Sequence, residues 1–190
     1  MSRKYELKRR AERQSETRRR IVDATVELHT SVGPARTTIS AIADRAGVQR
    51  HTVYAHFPDE RTLFQACSMH WRELHPLPDP SPWKRIADPA RRLRAGLQDV
   101  YSWYELVEDD LAIFSRDVGV HALTAELVDR RELAIGSHRG ALADGWPRRK
   151  AVQAAIGHAL DFETWRSLTR RQGLTRAQAV DAMLGLVASV

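Results

Sequence analysis

Apolar residues recur along most of this chain at three- and four-residue intervals, the spacing that lines one face of an α-helix. No run joins β-branched enrichment to strict alternation, so no strand is expected and the fold class is all-α. Ile21, Ala24, Thr25 and Leu28 set the first stripe, and Gly33-Pro34 ends it, the glycine allowing a left-handed turn and the proline blocking propagation. Ile39, Ile42, Ala43 and Ala46 predict a second helix, opened by Thr38 as N-cap and closed at Gly47, where a tight turn needs positive φ. A short third helix is expected over 49–56, stopped by Pro58, and Leu63, Phe64 and Cys67 continue a fourth to about Leu74.

Pro76, Pro78, Pro80 and Pro82 then forbid regular structure and make the clearest break in the chain. Leu93, Leu97, Val100, Tyr104 and Val107 mark the next helix, a short piece follows around 111–114, and Val120, Leu123, Leu127, Ala134, Ile135 and Leu142 mark a long one. After Gly145-Trp146-Pro147, two helices are expected to close the chain. One covers about 148–172 and stops at Gly173; the other starts at Arg176, with Thr175 and Gln178 as a capping box. The pattern predicts about nine helices.

On a helical wheel of 148–172, Val152, Ala155, Ile156, Ala159 and Leu160 share one face while Phe162, Trp165 and Leu168 point largely the other way. A rod apolar on opposite sides needs two packing partners, its own domain and a second subunit. The last helix adds the narrow stripe Val180, Met183, Leu184 and Val187. Val152, Ile156 and Leu160 with Val180, Met183, Leu184 and Val187 are therefore the expected contact of a four-helix dimer interface; a simple antiparallel pair within one chain is the alternative.

Charge changes the picture at one end only. The net charge is +6, and nine cations (Arg3, Lys4, Lys8, Arg9, Arg10, Arg13, Arg18, Arg19, Arg20) precede residue 21 against Glu6, Glu12 and Glu16, so this segment carries all of it. Such a concentration favours an anionic partner. Residues 1–17 are expected to form a flexible basic arm that follows the minor groove or the phosphates of a duplex, the alternative being a solvated tail. The lone Cys67 excludes an internal disulfide and a cysteine metal site, which points to a reducing compartment, the cytoplasm. No apolar run approaches the ~20 residues of a membrane span, and none follows the N-terminal charges as a leader would require.

The order helix, glycine turn, short helix is that of a helix-turn-helix, whose first helix braces and whose second lies in the major groove of DNA. In Gly47-Val48-Gln49-Arg50-His51-Thr52-Val53-Tyr54-Ala55-His56-Phe57, Val48 and Val53 fill the wedge behind the turn. Gln49, Arg50, His51 and Thr52 remain at the leading end of the second helix. Arginine pairs with guanine and glutamine with adenine, His51 and Thr52 suit bases or phosphates, and Tyr54 and His56 suit the backbone. Thr38, at the start of the bracing helix, joins the DNA-facing set.

Residues from about Arg18 to Phe64 resemble the head of the TetR-type transcriptional regulators. The resemblance rests on Ile21-Val22-Asp23-Ala24, Thr38-Ile39-Ser40-Ala41-Ile42-Ala43, Ala46-Gly47-Val48, Val53-Tyr54-Ala55-His56-Phe57-Pro58 and Leu63-Phe64. The stretch 159–168 is similar to the penultimate helix of many such proteins. The resemblance implies a homodimer on an inverted-repeat operator in double-stranded DNA, a three-helix head over 18–58, and a regulatory domain over 59–190 that takes a small-molecule effector and forms the dimer. Repression relieved by the effector is the expected mode. Where such heads often carry Lys at the start of the fourth helix this chain has Glu60, with Arg61 the candidate substitute on phosphate; where they often have Ser and Gly it has Gln49 and His51.

Candidate walls of an effector pocket are Trp103, Tyr104, Phe114, Phe162 and Trp165, and candidate polar groups are Arg131, His138, His158 and Glu163, although such aromatics are more often simply core and such polar groups more often find internal partners. His158 and Asp161 stand three residues apart but lack a third metal ligand, so neither metal nor cofactor is expected. An enzyme is the rival of another class, and no Gly-rich phosphate loop, carboxylate pair or nucleophile motif supports it. A binder of nucleic acid driven by charge alone is the third reading.

Overall fold

The computed structural model describes residues 3–190, with the side chains of 5–129 and 134–190. Ten α-helices, one 3-10 turn and one π-helical turn occur among the described residues, with no strand. The helices are α1 (Arg3–Ser31), α2 (Ile39–Ala46), α3 (Arg50–His56), α4 (Glu60–Leu74), α5 (Ser81–Lys84), α6 (Pro89–Asp117), α7 (Ala122–Ala143), α8 (Lys150–Ala159), α9 (Phe162–Arg166) and α10 (Arg176–Ser189). The chain packs as two compact units. The first holds the chain up to Pro76 together with Asp109–Val128; the second holds Leu77–Glu108 and Asp129–Val190.

The core of the first unit gathers Ile21, Ile42, Ala43, Val53, Phe57, Leu63 and Cys67, all buried, which ties α1, α2, α3 and α4 into one body. Local chemistry fixes the ends of these helices. The Thr38 hydroxyl accepts the Ala41 N–H at 3.1 Å and opens α2. Gly47 closes it at φ +63°, and the Val48 N–H returns to the Ala43 carbonyl at 2.9 Å. The Arg20 guanidinium reaches across from α1 to the carbonyls of Ala46 and Gly47. Asp59 opens α4 by accepting the Thr62 N–H at 2.7 Å.

Residues 1–17, expected as a flexible arm, are helical from Arg3 onward, and α1 is 29 residues long. Between Arg3 and Arg20 there is neither glycine nor proline, and Arg, Lys, Glu, Gln, Ala and Leu predominate, all strong helix formers. Here helix propensity prevails over the mutual repulsion of the charges.

In the second unit the proline run does not exclude regular structure, because Pro82 sits in the first turn of α5, where its missing N–H is not needed. This short helix buries Trp83, whose indole N–H donates to Asp99 at 2.7 Å. The segments expected separately around 93–107 and 111–114 are one helix, α6, with a single non-helical residue at Val107 (φ −116°, ψ 16°).

The helix expected over 148–172 is broken. Asp161 adopts an extended backbone (φ −75°, ψ 136°) and its carboxylate accepts the Thr164 N–H at 2.8 Å, starting α9 afresh. The break frees the carbonyls of Ala159 and Leu160, which accept the hydroxyls of Tyr101 and Tyr104 at 2.8 and 2.6 Å. Phe162 and Trp165 thereby turn into the same core as Ile156 and Leu160. Beyond α9 the chain makes a π-helical turn, Ser167–Arg171.

Because 150–171 is not one straight rod, its two apolar sets do not by themselves require a second subunit. Val152, Ile156 and Leu160, with Val180, Met183 and Val187, are buried within their own unit, and Leu184 is half-buried. They are core residues rather than an open interface, since α8 and α10 pack on each other.

Tyr104→Phe leaves the buried Leu160 carbonyl without that donor, and should lower unfolding free energy by roughly 1 to 3 kcal/mol in urea titrations. An unchanged midpoint would show that the carbonyl is satisfied another way.

Candidate nucleic-acid interface

Val53 anchors α3: it is fully buried in the core that it shares with α1 and α2. Its side chain and that of Phe57, just beyond the end of the helix, are the buried contacts of α3, at 0% and 1% exposure.

Gln49, Arg50 and His51 stand exposed at the leading end of α3, Thr52 is half-buried, Tyr54 is exposed and His56 half-buried. Gln49 is the N-cap residue by position, but its side chain makes no capping hydrogen bond. Behind the helix, the Arg18 guanidinium lies over the Phe57 ring at 4.6 Å. On the flank, a groove of about 440 Å³ runs between Thr52 and His56 of α3 and Arg9, Arg10 and Arg13 of α1.

Two candidates are already engaged. The Thr38 hydroxyl is committed to the α2 cap. Arg61, the expected phosphate substitute, donates a bidentate pair to Glu126 at 2.6 and 2.9 Å, so its charge is matched inside its own unit. Glu60 has a partner too. The Thr124 N–H donates to His121 Nδ1 at 3.2 Å, which leaves the proton on Nε2, 3.1 Å from the Glu60 carboxylate. Arg20 and Asp59, which shape the corner and start α4, were missed by sequence reasoning; Asp59 followed by Thr62 is a capping signal that was there to be found.

The candidate effector residues do not gather in one place. Trp103, Tyr104, Phe162 and Trp165 form a packed aromatic cluster in the second unit, with Tyr104 5.6 Å from both the Trp103 and Trp165 rings. His138 is buried in the same unit, edge-on to Trp83 at 5.4 Å. Phe114 belongs to the first unit, edge-on to Trp71 at 5.6 Å. His158 is exposed and meets the Thr164 hydroxyl at 3.0 Å. Glu163 pairs with Arg166 at 3.8 Å, and Arg131 lies outside the described side chains. Among the described residues, no group of three or more His, Cys, Asp or Glu is placed to hold a metal, and no helix is long and apolar enough to cross a membrane.

Residues 21–67 match the sequence profile of the bacterial regulatory proteins of the tetR family. The chain is 36% identical over 104 residues to the HTH-type transcriptional regulator TtgR of Pseudomonas putida, a match covering 54% of this chain and about half, 49%, of that relative. Its fold is that of a TetR-like transcriptional regulator from Rhodococcus sp. RHA1, with TM-score 0.63 at 17% identity over 90% of this chain and 93% of the other. It is also that of AibR, solved in complex with isovaleryl coenzyme A and operator DNA, with TM-score 0.59 at 19% identity over 90% and 97% of the two chains.

A buried pair sits beneath this surface. His29 Nδ1 is 3.5 Å from Cys67 Sγ, and the imidazole packs on Phe64 at 5.5 Å. Burial, with the nearby His121, lowers the His29 pKa to about 4 despite the opposing pull of Asp117; burial likewise pushes the Cys67 thiol up to about 12. The unfolded imidazole takes its proton near pH 6.5 and the folded one only near pH 4, so between the two the unfolded chain holds more protons and acid favours it. Stability should therefore fall from pH 6.5 towards 4, by on the order of 3 kcal/mol from this residue. His29→Gln should flatten that part of the profile in urea titrations; an unchanged slope would overturn the assignment.

Proposed function

We propose, from the match of residues 21–67 to the tetR family of bacterial regulatory proteins, that this protein is a homodimeric transcriptional regulator of that family that reads an inverted repeat in double-stranded DNA and releases it when a small molecule binds. The observation that carries this reading is the exposed row Gln49, Arg50 and His51 on a helix pinned from behind by Val53. Polar side chains with hydrogen-bonding capacity left open, on a frame that cannot shift, suit base edges. In this reading residues 1–17 lead into the DNA, 18–58 read it, and 59–190 carry the effector and dimer functions. Repression in the cytoplasm is the expected mode.

Dimerisation is assigned to the outer sides of α8 and α10, where Ala151, Ala154, Ala182, Gly185 and Leu186 are exposed. Small side chains let helices approach closely, and two reading helices on a two-fold axis meet half-sites about 34 Å apart or a multiple of it. The effector is assigned to the second unit. Among the described residues, Trp165 Nε1 and His138 Nδ1 are buried there without a hydrogen-bond partner, which favours a ligand that supplies polar groups. Such a ligand switches the protein only by preferring one conformation over the other.

Selection from random duplexes by the purified protein should recover an inverted repeat, and Arg50→Ala should cost ~1 to 3 kcal/mol and relax discrimination at one base position. Recovery of no repeat would leave only a charge-driven binder. In sedimentation, Ala154→Glu with Leu186→Glu should convert a dimer to a monomer; a wild-type protein that sediments as a monomer with its repeat present would sink the two-fold reading.

A further inference from the structure

We infer that the N-terminal turns of α1 and the flank of α3 form a second DNA surface, a groove that takes the phosphate backbone beside the bases α3 reads. The inference rests on the proposed DNA-reading function and extends it. Glu6, Arg9, Arg10, Arg13, Gln14 and Thr17 recur at three- and four-residue steps, so they share one face of α1, and that face looks across the groove to Thr52 and His56 of α3. Thr52 and His56 are one turn apart on α3, so both walls are regular helix.

The chemistry of the walls selects the occupant. Among the described residues neither Arg10 nor Arg13 has a carboxylate partner, and Arg9 only leans over the Tyr5 ring at 5.8 Å. Arg45, Arg94 and Arg176, in contrast, are each matched by a carboxylate. Glu6 is the single acid on the face, three and four residues from Arg9 and Arg10, so the groove keeps a net positive charge. From Arg9 to Thr17 the helix rises about 12 Å, long enough to meet more than one phosphate of a strand. Because α1 is a rod continuous with the core at Ile21 rather than a loose arm, the arginines are held in position before DNA arrives.

The test is the salt dependence of binding by the full chain. Arg9→Gln, Arg10→Gln and Arg13→Gln together keep the helix-forming character of α1, and should lower the slope of log K against log salt by about 2 to 3 while leaving the recovered base preferences unchanged. Lysine at the same three positions should restore the slope. An unchanged slope overturns the inference, as does an equal drop when Arg148, Arg149 and Lys150 are changed to Gln instead. Loss on RNA or anionic vesicles with the duplex slope unmoved also overturns it. If no repeat is selected, the reading function fails on its own, and the slope on any duplex still decides the groove.

Discussion

One guanidinium holds the reading head to its brace. Arg20 extends from α1 to the carbonyls that α2 leaves open at Ala46 and Gly47, the point where the chain turns into α3. A helix ends with carbonyls lacking partners, and a cation there meets both hydrogen-bonding and dipole requirements. Val53 and Phe57 then fix α3 from below. The direction of Gln49, Arg50 and His51 follows from these contacts, since α3 is too short to hold its own direction.

A comparable economy governs the second unit. Asp161 interrupts a helix so that two apolar sets, incompatible on a straight rod, enter one core. The interruption exposes carbonyls inside that core, and Tyr101 and Tyr104 answer them from α6. Buried backbone groups left without partners would cost more than the break gains. Burial accordingly raises the Tyr101 pKa, which keeps its hydroxyl a donor.

What could be read in advance was local. Thr38, Gly47 and Pro58 each act within a few residues, and the helix-turn-helix they delimit is where the structure has it. Asp161 misled because a wheel counts it as one polar spot on a rod, whereas its carboxylate and Thr164 together make a helix start. Arg61 misled for another reason: its partner Glu126 lies far along the chain, and no spacing rule links the two. The first seventeen residues show composition pulling two ways, charge towards solvent and propensity towards helix.

The single thiol of the chain has a consequence for anyone handling the protein. Only a thiolate attacks alkylating reagents or disulfides, and Cys67, enclosed beside His29, stays protonated at neutral pH. It is silent while α1 and α4 remain packed and becomes reactive when they part. The rate at which it is labelled is thus a clock for transient opening of the head, already present in the natural chain and needing no added probe.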